Sequence, residues 1–138
     1  RVKLAKAWTV HRRKSIGYRK DGSVPAGVDY DMWLGPARER RFNANRFHHN
    51  WHWFWEYGTG ELGNWGVHML DIARWGLGVE LPHSIAAAGG KYHFRDAQET
   101  PDTLNVQFRF RNKSIMWEQR QWSNHGIEGR SAATAFWK

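Results

Sequence analysis

The clearest alternation of apolar and polar positions lies near the end of the chain. In TLNVQFRFR, Leu104, Val106, Phe108 and Phe110 alternate with Asn105, Gln107, Arg109 and Arg111, and after RNKS the run SIMWEQRQW alternates again. A period of two on both sides of a tight turn predicts an antiparallel hairpin with one wet and one buried face. Residues 2–12, VKLAKAWTVHR, place Val2, Leu4, Trp8 and Val10 on one side with Lys6 as the exception, which predicts another strand. After Pro82, SIAAAGGKYHF predicts a strand interrupted by a bulge at Gly89-Gly90.

The period changes over residues 62–77, where a helix is predicted between the glycines at 58 and 60 and those at 76 and 78. At about 100° per residue, Asn64, His68, Asp71 and Trp75 fall within an arc of roughly 60°. Leu62, Trp65, Met69, Ile72, Ala73 and Leu77 spread over the opposite side, giving a greasy back and a polar stripe. DMWLGPARERRFN predicts a short helix or turn halted by Gly35 and Pro36, and the Gly-, Pro- and Asp-rich stretch from Lys14 to Asp31 predicts a loop. NRFHHNWHWFWEYGTGELG is ambiguous by periodicity. These elements define an α+β fold: an open, mostly antiparallel sheet with helices on one face.

At 138 residues the chain has the length of one domain. It begins with Arg1, and the closing AATAFWK carries no cap or turn signal, so residues 1–138 are expected to be a single partial domain cut at both ends. The absence of cysteine excludes disulfides, thiolate metal sites and cysteine nucleophiles. No stretch reaches the ~18 apolar residues that span a bilayer. No membrane partner is expected. The cytoplasm is the expected compartment, with export as the alternative, since any signal would precede Arg1.

The net charge of +8 is concentrated in RVKLAK, HRRK and RERR. Such a surface steers anions, or is a solvated face with arginines lying over aromatics. Six of the ten tryptophans fall between residues 33 and 75, beside four histidines, which predicts an aromatic-walled cavity or an interface in addition to a core. His68 is suited to move a proton near neutral pH, and a carboxylate one turn away could orient it or hold a substrate hydroxyl. The stripe either lines a cleft or faces solvent. His48, His49 and His52 are close in sequence, but only His48 and His52 share a helical face, so no metal site is expected. Arginines among aromatics also fit single-stranded nucleic acid, a less favoured reading because the rings do not follow alternating strand positions. No nucleic-acid partner is expected.

VDYDMWLGPA, then NRFHHNWHWFWEYGTGELGNWGVHMLDIARWGLG, then GGKYHF and ETPDTLNVQF, in that order, resemble the C-terminal substrate domain of the Gfo/Idh/MocA family of NAD(P)-dependent oxidoreductases over roughly residues 2–122. The resemblance implies a sheet-based substrate domain that follows a Rossmann domain, itself missing here along with its Glu-Lys-Pro lysine and glycine-rich turn. It implies NAD or NADP as cofactor, bound mainly by that missing domain, a sugar or cyclitol as substrate, and a homo-oligomer formed through the sheet face, near Trp117 and Trp122. It gives His68 an acid/base or hydroxyl-orienting role. The family's Asp-x-x-x-His aspartate falls on Asn64, which can hold a hydroxyl but cannot take up a proton. Asp71 matches the second aspartate of the pattern and receives an orienting role with His68 or a backbone amide as partner, while Arg46, His49 and Trp53 come from a segment that approaches the substrate in relatives. The alternative is a non-catalytic carbohydrate- or protein-binding domain.

Overall fold

The computed structural model describes residues 2–125 and the backbone of 133–137. Its strands are β1 (Leu4–Val10), β2 (Ser84–Gly90), β3 (Thr103–Phe110), β4 (Lys113–Arg120) and β5 (Ala133–Trp137). They form one sheet in the order β2-β3-β4-β1-β5. Three of its ladders are antiparallel, and β1 runs parallel to β4. Helix α1 is Tyr30–Leu34, a 3-10 turn spans Asn50–Trp53, and a π-turn over Leu62–Gly66 leads directly into α2, Val67–Leu77. The sheet is therefore mixed but mostly antiparallel, with α2 packed on one face, as the pattern predicts.

The hairpin forms as expected. Phe110 pairs with Lys113, which leaves Arg111 and Asn112 as its turn. Val106 and Ile115 are buried and Phe108 is partly buried on the side facing α2, while Asn105 and Gln107 point to the other face. β2 is an exposed edge strand, and its pairing with β3 continues without a bulge through Gly89↔Leu104 to Gly90↔Thr103. The Gly89-Gly90 pair ends the strand instead of interrupting it. Its glycine is required at 89 by crowding, since a Cβ there would lie 2.2 Å from the Thr103 carbonyl oxygen.

β1 departs from its predicted face. Ala5 and Ala7 face α2, packing with Ala73, Leu77, Ile115, Val106 and Trp117. Trp8 and Val10 are also fully buried, and Lys6 reaches Glu118 at 3.8 Å across the parallel ladder. β1 is an interior strand with both faces covered at its C-terminal end, so alternation there does not report which side meets the helix. The two alanines let the helix approach the sheet closely. β5, from a run for which no element is predicted, pairs antiparallel with β1.

Two further positions differ from expectation. The sheet-facing line of α2 runs through the buried Ala73 and Leu77 and the partly buried Leu70, and Ile72, about 100° away from Ala73 around the axis, is exposed. Trp117 is not near an exposed sheet face: it is 1 % exposed and packs beneath the helix.

The turn after β2 is organised by a single carboxylate. Asp102 is fully buried and accepts hydrogen bonds from the amides of Tyr92, His93 and Phe94 at 2.9–3.1 Å and from the Thr103 hydroxyl at 2.7 Å. Burial pushes its pKa up, but these donors outweigh burial and hold it below the ordinary 3.8. Its stabilising contribution is complete above that ordinary value and is lost as pH falls through the lower, folded value. Asp102→Asn presents an amide NH2 to some of the same donors. It is expected to cost about 2–3 kcal/mol in urea unfolding at neutral pH and to flatten the loss of stability on acidification.

Candidate functional site

The site forms where β1 ends. The pairing with β4 continues past the strand, with His11 N–H donating to the Arg120 carbonyl and Arg13 N–H to that of Gln121 at 2.7 Å. These bonds carry the basic run HRRK across the end of the sheet. Farther on, Asp96 accepts from the Ser15 hydroxyl and the Ile16 amide, both at 2.9 Å, and fixes the other end of the segment.

Opposite lies the 3-10 turn Asn50–Trp53. The Trp53 carbonyl accepts from the amides of Glu99 and Thr100, and the Trp55 amide donates to the Glu99 carboxylate at 2.9 Å, which locks this turn to the segment before β3. His48, just before it, adopts φ 61°, a left-handed backbone uncommon outside glycine. Gly58 and Gly60 lead into the helix. Gly60 has φ +68° and meets Thr100 so closely that a Cβ would lie 2.8 Å from its side chain.

Glu61 joins the two walls. It is 1 % exposed, accepts from the Thr9 hydroxyl at 3.2 Å, and receives Arg13 Nε and Nη2 at 2.9–3.1 Å. The same guanidinium lies over the Trp53 ring, 4.9 Å from its centroid. A bidentate guanidinium–carboxylate pair fixes orientation as well as distance, so Arg13, Trp53 and the helix start are set as one unit.

Between these walls is an open cleft of about 600 Å³, lined by residues 11–16, His49, Asn50, Trp53 and Trp65. The His11 and Trp65 rings are 5.3 Å apart, and the His68 ring meets Trp65 edge-on at 6.2 Å. Burial pulls the His11 pKa below its ordinary 6.5; the Glu61 carboxylate opposes this and the Arg13 charge adds to it. His11 Nε2 is buried without a hydrogen-bond partner. An imidazole held neutral in this way is an uncharged polar group at the cleft wall.

Of the residues singled out by sequence, His49 and Trp53 line the cleft, while Asn64 is half-buried in the π-turn and His68 stands on the exposed side of α2, one ring away through Trp65. Asp71 is exposed and pairs with Arg74 at 4.0 Å. His68 and Asp71 line a separate depression along the outer side of the helix, and Trp75 is 85 % exposed. The stripe thus faces outward, and from α2 and its π-turn only Trp65 reaches the cleft. Arg46 is directed elsewhere: its Nη2 donates to the Arg41 carbonyl at 2.7 Å and lies 3.5 Å from Asp21. Its charge acts on Tyr30 and Tyr57, whose pKa values burial pushes up against that influence. His52 Nδ1 contacts the His49 carbonyl, and among the described residues no group of three His, Cys, Asp or Glu is arranged to hold a metal ion.

Sequence reasoning missed His11, Arg13, Glu61 and Trp65 as site residues. The basic run HRRK and the aromatic count were the available signals, but the contacts that assemble them join positions 48 and 52 apart.

Residues 8–129 match the family model described as the oxidoreductase family, C-terminal alpha/beta domain, and the chain belongs to the Gfo/Idh/MocA family. No curated protein matches the chain. Among the described residues no helix is long and apolar enough to cross a membrane.

Because His11 favours the neutral form in the fold, the unfolded chain takes up its proton first, and stability falls as pH drops through 6.5 toward the lower folded value. His11→Gln removes this contribution. Melting temperatures measured from neutral to mildly acidic pH are expected to fall less steeply in the variant than in the natural chain.

Proposed function

We propose that this chain is the substrate-binding part of a nicotinamide-dependent oxidoreductase that acts on a hydroxyl or carbonyl of a sugar or cyclitol. The observation that carries the reading is the ring sequence His11–Trp65–His68, which connects the cleft to the histidine that matches the family's acid/base position. An oxidoreductase family also implies a nucleotide cofactor in the complete protein.

The described residues are not built to hold that cofactor. The one parallel strand pair, β1 and β4, is not accompanied by a glycine-rich loop that joins a strand to a helix N-terminus. The dinucleotide therefore belongs to another part of the protein, where the nicotinamide supplies hydride acceptance or donation.

The work of this chain is to bind and orient. Trp53 and Trp65 offer aromatic faces to a ring-shaped substrate, and His49 and Asn50 offer hydrogen-bonding groups at the rim. His68, exposed on α2 beside Trp65, accepts or returns the proton of the reacting hydroxyl. Asn64, in the π-turn outside the cleft, has no acid/base capacity; its amide can only donate and accept hydrogen bonds. Asp71, turned toward Arg74, sets the charge along the helix instead of orienting the His68 ring.

In the natural protein that contains this chain, His68→Ala is expected to lower kcat by about 10²–10⁴-fold, followed by nicotinamide absorbance with a panel of sugars, cyclitols and their oxidised forms. Unfolding midpoints should remain close to the parent's, because the ring is exposed. Equal turnover in parent and variant would overturn the role of His68. Asn64→Asp restores the family carboxylate and is expected to preserve or raise activity; a large loss would mean that the pocket is built around the amide.

A further inference from the structure

The cleft has a charge pattern that the binding of a neutral sugar does not need. Arg12, Arg13 and Lys14 all line it, and no Asp or Glu does. The nearby carboxylates are engaged behind the wall. Glu61 is taken by Arg13 and Thr9, and Asp96 by Ser15, the Ile16 and Gln98 amides and Lys91.

Arg13 is thereby neutralised, and its guanidinium is committed to Glu61 and the Trp53 ring. Arg12 and Lys14, on either side of it, are exposed and make no ion pair among the described residues. The backbone that carries them is held by the Gln121 carbonyl and by Asp96, so the two cations are presented from an anchored segment. Two uncompensated cations at the rim of an aromatic-walled cleft focus positive potential into it. A carboxylate or phosphate accepts hydrogen bonds from such groups with the added strength of opposite charge.

Resting on the reading of this cleft as the substrate site, we propose that the substrate is anionic: a sugar or cyclitol that bears a carboxylate or phosphate, with the anion held by Arg12 and Lys14 and the ring against Trp53 and Trp65. The reacting hydroxyl then lies at the end away from the anion, toward the Trp65–His68 side.

The test is a titration of the purified chain, followed by tryptophan fluorescence and calorimetry, with glucose, glucuronate, glucose 6-phosphate and inorganic phosphate. At least one charged sugar is expected to bind about tenfold or more tightly than glucose, with an advantage that shrinks as salt is raised. The double variant Arg12→Ala/Lys14→Ala should abolish that advantage, so that charged and neutral sugars bind alike, while leaving the unfolding midpoint unchanged. The stronger of the two charged sugars tells a carboxylate from a phosphate. Equal affinity for charged and neutral sugars, an advantage that survives in the double variant, or no binding of any charged sugar would overturn the proposal. Tighter binding of a single-stranded oligonucleotide than of every sugar would overturn it in favour of a nucleic-acid ligand. Charge preference is read without turnover. Its loss leaves the oxidoreductase reading standing if nicotinamide-coupled turnover depends on His68, and a charge preference without such turnover fails only the oxidoreductase reading.

Discussion

The carboxylate of Glu61 is the constraint on which the site depends. A buried charge is costly unless it is paired and hydrogen-bonded, and Glu61 meets both conditions with donors from two places in the chain, the Thr9 hydroxyl and the Arg13 guanidinium. The requirement to satisfy that carboxylate brings the end of β1 against the start of the helical segment. Arg13 in turn covers Trp53, so the 3-10 turn is drawn into the same assembly. One ion pair thus sets the relative positions of a strand end, a turn and a helix start, and the cleft is the space left among them.

The sheet supplies the rigid base for this arrangement. Small residues at Ala5 and Ala7 let the helix settle on β1 and β4, and the ladder to β4 runs on past β1 as far as Arg13. The basic segment is consequently an extension of the sheet and not a free loop. Polar anchors of the same kind recur nearby: Asp96 holds Ser15, Ile16 and Lys91, and Asp102 holds the turn after β2. Buried carboxylates with several donors do at this end of the molecule what apolar packing does beneath α2.

The legible parts of the fold were those in which one face is wet and the other dry. The β3–β4 hairpin and the helix after Gly60 show clear periods because solvent meets one side of each. β1 was found as a strand, but its helix-facing side was misread, since Trp8, Thr9 and Val10 are all buried and alternation loses its meaning there. β5 lies in a short run without alternation and is stabilised by pairing, which a local pattern does not encode. The helical stripe was legible as a stripe, but the pattern left open whether it lines a cleft or faces solvent, and its outward placement comes from the structure. The stripe's relation to the cleft depends on Trp65, which the period assigned to the greasy side, and on Arg13 and Glu61, partners across 48 positions. His49 and Trp53, singled out by the family resemblance, line the cleft, and Arg46 from the same segment is directed to Asp21 and Arg41.

The π-turn at Leu62–Gly66 changes how length variation acts on this molecule. A π-turn closes its hydrogen bonds one residue later than an α-turn, so it takes up one extra residue without breaking the helix. Asn64 and Trp65 lie within it and His68 lies just beyond it. Loss of Gly66 would let the segment close as ordinary α-helix, and everything before it would rotate about the axis relative to α2. Trp65 would swing relative to His68 although no residue in the cleft had been substituted. Chain length at this single turn acts as an angular adjustment between the aromatic wall and the exposed histidine, a route by which related chains could retune ligand orientation while keeping the same side chains.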